Sequence, residues 1–261
     1  MESILIYVLF AVGIVLIVFT AFVIFGGAKR ISIITSIIVP IMAIAYILIA
    51  LWTTITNIGE LPAVFATIFQ SAFNFQSIAG GFAGSVVMLG IKRGLFSNEA
   101  GMGSTPHAHA LAKVNHPREQ GAVAILGVFI DTFVVLTLTG LVLITSGLIP
   151  EGLTGTALTQ AAFSQAFGGF GPVFIAICMF FFAFSTIIGW YFFGQSNFKA
   201  LFGEKALPVY SVIVVVFILV GSTLKVDLVW AMADFFNGLM AVPNLLALLA
   251  LSGVVAAIDK E

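Results

Sequence analysis

Long apolar runs separated by short polar segments recur from one end of the chain to the other. The runs of membrane-spanning length lie at about residues 4–25, 31–55, 76–91, 121–146, 172–198, 207–223 and 228–241. A further, shorter run at 245–258 is interpreted as a separate helix, an interfacial segment or the bent end of the preceding helix. The pattern predicts an all-α integral membrane protein of about seven to eight transmembrane helices.

Composition supports the membrane class. Hydrophobic residues make up 61% of the 261 residues and charged residues only 8%, whereas soluble domains contain about 25% charged residues. A net charge of −1 gives no indication of a nucleic-acid partner. The single cysteine, Cys178, excludes an intramolecular disulfide. The first apolar run lacks the basic segment and cleavage site of a signal peptide, so we expect it to remain as a helix.

The basic residues cluster on one side of the predicted topology. When the spans are threaded alternately, every lysine and arginine except Lys225 lies on that side. Cytoplasmic loops carry an excess of Lys and Arg, so this side is predicted to face the cytoplasm from a plasma membrane. Two amphipathic segments, residues 61–75 and 154–167, then lie at the outer surface, either in the membrane interface or packed as ordinary loop helices.

The third span contains a glycine-rich segment, Gly80, Gly81, Phe82, Ala83 and Gly84. Glycine weakens a helix at a depth where lipid offers no hydrogen-bond partner, and a broken membrane helix is typical of a binding site. Exposed amide and carbonyl groups there could hold both ends of a zwitterion, with the carboxylate at the start of the following half-helix. Tight helix packing through small residues is the alternative interpretation.

A polar group in the fifth span indicates a candidate cation site. Ser185 and Thr186 are adjacent hydroxyls, and the carbonyl of Phe182 lies about one turn earlier. Hard oxygen ligands of this kind suit alkali cations, and Trp190 lies one turn beyond Thr186. The hydroxyls could instead bond to their own helix backbone or to a neighbouring helix.

Two aspartates, Asp131 and Asp234, fall in the middle of predicted spans. An ionisable side chain is costly at that depth and is typical of a residue that pairs, gates or lines water. The alternative is a structural carboxyl bonded to a local partner, for which Thr132 and Asn237 are the candidates.

A polar loop follows the third span, which is predicted to stop at Lys92 and Arg93. The loop contains Asn98 and Glu99, and a hydroxyl cap followed by Pro106 is expected to start a helix, so the loop is suited to a hinge or gate. Its histidines lack the spacing of a metal site, and the sequence has no nucleophile elbow and no phosphate-binding loop. No metal site and no enzyme is predicted.

Several long motifs resemble one known family. The loop and its flanks read RGLFSNEAGMGSTPHAHALAK and QGAVAILGVFIDTFVVLTLTGLVLITSG, and AFSTIIGW and ADFFNGLMAVPNLLALL follow in the same order. These motifs are similar to those of the alanine/glycine:cation symporters, and they cover nearly the whole chain. The resemblance implies a sodium- or proton-coupled amino-acid carrier with the five-plus-five inverted-repeat fold of the leucine-transporter type, whose first and sixth helices are discontinuous.

The resemblance also implies roles for the candidate residues. The third span corresponds to the family's sixth helix, so the backbone of its glycine-rich segment and the side chain of Phe82 would contact a small amino acid. The fifth span corresponds to the eighth helix, where Phe182, Ser185 and Thr186 resemble half of a sodium site. Trp190 resembles a wall of the substrate pocket that limits side-chain size.

Asn98, Glu99 and Asp131 are assigned to gating near the cytoplasmic side. Nothing in the chain corresponds to the family's first three helices. Residues 1–58 are therefore interpreted as the end of the first repeat and residues 59–261 as the complete second repeat, within one transmembrane domain. On this interpretation the chain resembles the last two thirds of a symporter, truncated or split, which a separate segment would complete.

The sequence predicts a secondary active transporter that imports small neutral amino acids, alanine or glycine, together with sodium. The coupling ion is the only cofactor expected. Two alternatives from other functional classes are a non-transporting membrane subunit for binding or assembly, and an intramembrane enzyme that uses Glu99 or the loop histidines.

Overall fold

The computed structural model describes residues 2–72, 82–149 and 152–258. Most of these residues are helical and none of them is in a strand, which confirms the all-α prediction for the described part of the chain. The helices there are α1 (Glu2–Ile24), α2 (Gly27–Thr56), α3 (Leu61–Ala72), α4 (Phe82–Asn98), α5 (Pro106–His109), α6 (Pro117–Thr145), α7 (Gly155–Phe167), α8 (Phe170–Phe202), α9 (Leu207–Thr223) and α10 (Val226–Ile258).

Five segments of the described chain are long and apolar enough to cross a membrane. They are α2, α6, α8, α10, and α9 together with the short turn Glu204–Ala206 before it. The described apolar part of α1, Ala11–Ile24, is shorter. The chain is therefore a multi-pass membrane protein, and the larger number of seven to eight spans stays a prediction.

Two helices differ from the sequence-based expectation. α4 continues through Lys92 and Arg93 to Asn98, so the predicted stop at the basic pair is wrong. Long basic side chains can carry their charge away from an apolar surface, and the backbone need not leave the helix to solvate them. α10 joins the last two apolar runs into one helix that contains Pro243, so the final run is not a separate helix. Proline removes one helical hydrogen bond, which membrane helices tolerate.

The chain divides into two compact units, each built from separate stretches. The first unit comprises Met1–Val39, Glu99–Gln120 and Phe181–Glu261. The second unit comprises Pro40–Asn98 and Gly121–Phe180.

The first unit is organised around α1, α8 and α9. α1 packs along α9 so closely at Gly13 that a Cβ there would lie 2.6 Å from Ser222 Oγ. The Tyr191 hydroxyl on α8 shares a hydrogen bond of 2.8 Å with the Ser211 hydroxyl on α9. The buried core of this unit consists of Val23, Ile24, Ile31, Phe184, Ile188 and Tyr191. A fixed packing surface on α8 is the result, and the predicted cation-binding residues lie on that helix.

The second unit has its centre at Phe163 of α7, which has no solvent exposure. Leu158 and Ala162, on the same face of α7, are also buried, so this segment is a loop helix packed on its own unit. The amphipathic α3 differs, because Phe65 and Phe69 are 43% and 60% exposed. An exposed aromatic stripe is compatible with the membrane interface, and that placement of α3 stays a prediction.

Candidate functional site

The glycine-rich segment of the third predicted span lies at the edge of the described residues. Gly80 and Gly81 fall outside them, and Phe82, Ala83 and Gly84 are the first described residues of α4. The start of a helix is a suitable place for a bound carboxylate, because its N–H groups and dipole favour negative charge. Contact of this segment and of the Phe82 side chain with an amino acid stays a prediction.

The three oxygens predicted to bind a cation all belong to α8. The Ser185 hydroxyl donates to the Phe182 carbonyl oxygen over 3.1 Å, so the alternative of local bonding is confirmed for Ser185. Ser185 is half-buried and Thr186 is exposed. A hydroxyl oxygen keeps its lone pairs when it donates its proton, so this bond holds two hard oxygen ligands side by side without excluding a cation. Cation binding itself stays a prediction.

Trp190, the predicted wall of the substrate pocket, lines an open cleft of about 840 Å³ in the first unit. Its ring packs edge-on against Phe193, with 5.8 Å between the ring centroids. The polar residues that line the same cleft are Ser104, His107, Asn197, Tyr210 and Asn244. Aromatic walls with a few polar groups are typical of small-molecule sites, so the surroundings of Trp190 are chemically suited to a small polar ligand.

Asn98 and Asp131, both predicted to act in gating, belong to neighbouring hydrogen-bonded pairs in the second unit. Ser97 Oγ donates to Asp131 Oδ2 over 2.8 Å, and Asn98 Nδ2 donates to Thr132 Oγ1 over 3.1 Å. Two successive residues at the end of α4 therefore pair with two successive residues of α6. The α6 residues lie in a π-helical segment, Ile130–Val135, and such segments are frequent at functional sites. Ser97, on another helix, is the partner of Asp131 that local reasoning missed.

Glu99, the third predicted gating residue, begins a tight loop in the first unit. Its φ of +57° is uncommon for a residue that has a side chain. Ser104 is only 2% exposed, and its hydroxyl donates to Glu99 Oε2 over 2.5 Å, so the loop closes on itself. Pro106 takes the first helical position of α5, as predicted. Thr105 takes the N-cap position, but its hydroxyl makes no capping hydrogen bond, so the predicted hydroxyl cap is wrong.

Asn244 is a polar residue of this loop region that sequence reasoning missed. It lies on α10 next to Pro243, and its Nδ2 donates to the Gly101 carbonyl oxygen over 2.9 Å. The two residues are 143 positions apart, so no local pattern could have paired them. The signal that could have indicated a function is a carboxamide directly after a proline within an apolar run.

Asp234, the second predicted mid-span carboxyl, is half-buried on α10. The local partner expected for it was Asn237. The amide nitrogen of Asn237 is buried and has no hydrogen-bond partner among the described residues, so it does not donate to Asp234. A bond from the Asn237 amide nitrogen to Asp234 is therefore not formed, and the role of Asp234 stays a prediction.

Comparison with known proteins connects these features to a family. The family model described as the sodium:alanine symporter family matches residues 2–261. The amino-acid carrier protein AlsT of Bacillus subtilis is 45% identical over 251 residues, which are 96% of this chain and 54% of AlsT. The sodium/alanine symporter AgcS of Methanococcus maripaludis is 48% identical over 252 residues, 95% of this chain and 55% of AgcS.

A further relative is named for a different substrate, glutamine. The probable sodium/glutamine symporter GlnT of Bacillus subtilis is 43% identical over 251 residues, which are 95% of this chain and 52% of GlnT. The chain spans about half the length of these curated relatives, a smaller share than the two thirds that motif order indicated. All three names describe carriers and none describes an enzyme. Because the family model matches the chain from residue 2 to residue 261, the chain belongs to the sodium:alanine symporter family.

Proposed function

We propose that this chain acts in the sodium-coupled import of small neutral amino acids, with alanine or glycine as the substrate. The observation that carries the proposal is the match of the sodium:alanine symporter family model to residues 2–261. The name of the sodium/alanine symporter AgcS supports sodium as the coupling ion, and the names of both AgcS and the amino-acid carrier AlsT support an amino acid as the cargo. No observation favours a non-transporting subunit, and nothing in the comparisons supports a separate segment as a partner.

In the proposed carrier the amino acid is bound through backbone groups. The segment from Gly80 to Gly84 supplies amide and carbonyl groups to the zwitterion, and the side chains of Phe82 and Trp190 form apolar walls. A half-helix that follows the glycines would favour the substrate carboxylate at its N-terminal end, because the N–H groups and the dipole there attract negative charge. The cleft beside Trp190 supports an aromatic limit on the size of the substrate side chain.

Sodium in the proposed carrier is bound by oxygens of α8. The Ser185 hydroxyl oxygen and the Phe182 carbonyl oxygen lie 3.1 Å apart, close enough to share one cation when the hydroxyl proton turns away. The exposed hydroxyl of Thr186 on the same helix is the third proposed ligand. Ligands from elsewhere complete the coordination, since alkali cations bind several oxygens at once.

Asn98, Glu99 and Asp131 act as the inner gate in this proposal. The two hydrogen-bonded pairs between the end of α4 and α6 support a latch, because each pair can break and re-form without unfolding a helix. The left-handed backbone conformation of Glu99 supports a hinge in the chain directly after Asn98. In the proposal the carrier lies in the plasma membrane, with its basic residues on the cytoplasmic side.

Uptake of labelled L-alanine into proteoliposomes that contain the purified chain tests the proposal. An inward sodium gradient should drive uptake above the level seen with an equal potassium gradient, and dissipating the sodium gradient should abolish the difference. Liposomes without protein set the background. Equal uptake in the two gradients, from a chain shown to be helical by circular dichroism, would contradict sodium-coupled import.

A further inference from the structure

The side chain of Asn244 on α10 reaches the loop that follows α4. Its Nδ2 donates to the Gly101 carbonyl oxygen over 2.9 Å, and Asn244 itself is half-buried. A hydrogen bond between a side chain and a backbone group 143 positions away does not arise from helix geometry. This bond therefore fixes the position of the loop relative to α10 within the first unit.

The loop backbone is shaped to accept this carboxamide. Gly101 and Gly103 have φ values of +80° and +87°, a region that residues with side chains rarely adopt. A Cβ at Gly103 would lie 3.0 Å from Asn244 Cβ and 3.1 Å from Asn244 Cγ, closer than ordinary contact. Asn244 thus packs against one glycine and bonds to the other, and a side chain at Gly103 would push it away.

The loop held in this way is compact. Met102, between the two glycines, is 5% exposed, and Ser104 is 2% exposed and donates to Glu99. Breaking the bond to Asn244 would leave the Gly101 carbonyl to find another donor, and burial of the neighbouring residues makes this costly. The loop is therefore expected to stay closed while the bond is intact.

The bond is formed at a point where α10 can deform. Pro243 has no N–H group, so the carbonyl one turn earlier in α10 lacks its usual helical partner, and kinks occur at such positions. Met102, Gly103 and Asn244 all line the cleft of Trp190. A movement of α10 at Pro243 would carry Asn244 away from Gly101 and change the opening of that cleft.

We propose that Asn244 is a positioning residue for the inner gate, which holds the 99–106 loop against α10 at the wall of the cleft until α10 moves. The proposal rests on the proposed carrier function for its role in transport. It assigns an inner-gate role to α10, on which none of the three residues assigned to the gate, Asn98, Glu99 and Asp131, lies. The bond itself can be tested without any transport.

Cysteine accessibility measures whether the loop is closed. Replacing Cys178 by Ala removes the only native cysteine, and Met102→Cys then places a single thiol in the closed loop. In this background Asn244→Ala should raise the rate of labelling by a water-soluble maleimide about fivefold or more, the factor that corresponds to the loss of one net hydrogen bond. Asn237→Ala is the matched control, because Asn237 lies on the same helix and its amide nitrogen has no partner among the described residues.

Asn244→Asp separates the hydrogen bond from the packing. The carboxylate has nearly the shape of the carboxamide but cannot donate to the Gly101 carbonyl, so it should label as fast as Asn244→Ala. If Asn244→Ala fails to fold, Asn244→Asp decides the question. Labelling of the Asp variant at the wild-type rate would overturn the proposal. In the Cys178→Ala, Met102→Cys background that keeps Asn244, sodium and alanine together should change the rate of labelling if the chain is a carrier. An unchanged rate would count against the proposed carrier function and not against the bond, which is intact in this background.

Discussion

The polar groups of α8 and those around the end of α4 differ in where their partners lie. On α8 the Ser185 hydroxyl donates to Phe182, three residues earlier. At the end of α4, Ser97 donates to Asp131, which is 34 positions away on another helix. The bond of Ser185 ties no neighbouring helix to the predicted cation site, whereas a bond between helices must break before they separate. The first arrangement suits a ligand site and the second suits a gate.

Thr186→Val tests the ligand site on α8 and should have the largest effect. Valine keeps the shape of threonine but lacks its hydroxyl. The Thr186 hydroxyl is the exposed member of the three proposed ligands. Alanine uptake should lose its dependence on sodium in the proteoliposome assay, because a cation site that loses an oxygen ligand loses its selectivity. Unchanged dependence on sodium would remove Thr186 from the cation site.

Trp190→Ala should change selectivity rather than ion coupling. Removing the indole enlarges the cleft of about 840 Å³ that Trp190 lines. Leucine should then compete with labelled alanine about tenfold better than it does in the wild-type chain, since each added methylene in a pocket is worth about 1–3 kcal/mol. Competition curves for leucine and for glycine measure this effect, and glycine should be unaffected. Retained discrimination against leucine would count against a pocket role.

Ser97→Ala tests the bond between helices, and its expected effect on stability is smaller. It removes the donor to Asp131 and leaves a half-buried carboxyl without that partner. The free energy of unfolding in detergent should fall by about 1–3 kcal/mol, which a denaturant titration followed by circular dichroism can measure. Asp131→Asn keeps an acceptor oxygen and should cost less than Ser97→Ala. The reverse order would show that the charge of Asp131, and not this bond, stabilises the second unit.

Ser196→Ala is the smallest expected change and sets the baseline for a local bond. Ser196 donates to the carbonyl of Phe192 one turn earlier on α8, over 3.0 Å. Loss of such a bond leaves no buried polar group on another helix without its partner. The free energy of unfolding should therefore change by less than about 0.5 kcal/mol. A loss as large as that of Ser97→Ala would remove the distinction between local bonds and bonds between helices.

Features encoded in neighbouring residues were predictable from the sequence. The apolar runs predicted α2, α6, α8 and α9, and apolar spacing predicted the face of α7 that buries Phe163. The start of α5 at Pro106 followed from the preference of proline for the first helical position. In each case the determining residues lie within one or two helical turns of each other.

Features that depend on distant residues were not predictable in this way. The bond from Asn244 to Gly101 joins residues 143 positions apart, and the partner of Asp131 lies on another helix. The π-helical segment Ile130–Val135 has no local sequence pattern that distinguishes it from the α-helix around it. The basic pair was misread as a helix end because charge was taken to interrupt an apolar helix, whereas α4 carries both residues within its length.

Calorimetric titration of L-alanine into the purified chain in detergent, once in sodium and once in potassium, measures binding at the proposed site without transport. We expect saturable heat of binding in sodium and none in potassium, with the sodium-dependent heat lost in Thr186→Val and retained in Ser196→Ala. Equal heats in the two salts, or no binding in sodium by a chain shown to be folded, would contradict the claim that these residues build a sodium-coupled amino-acid site.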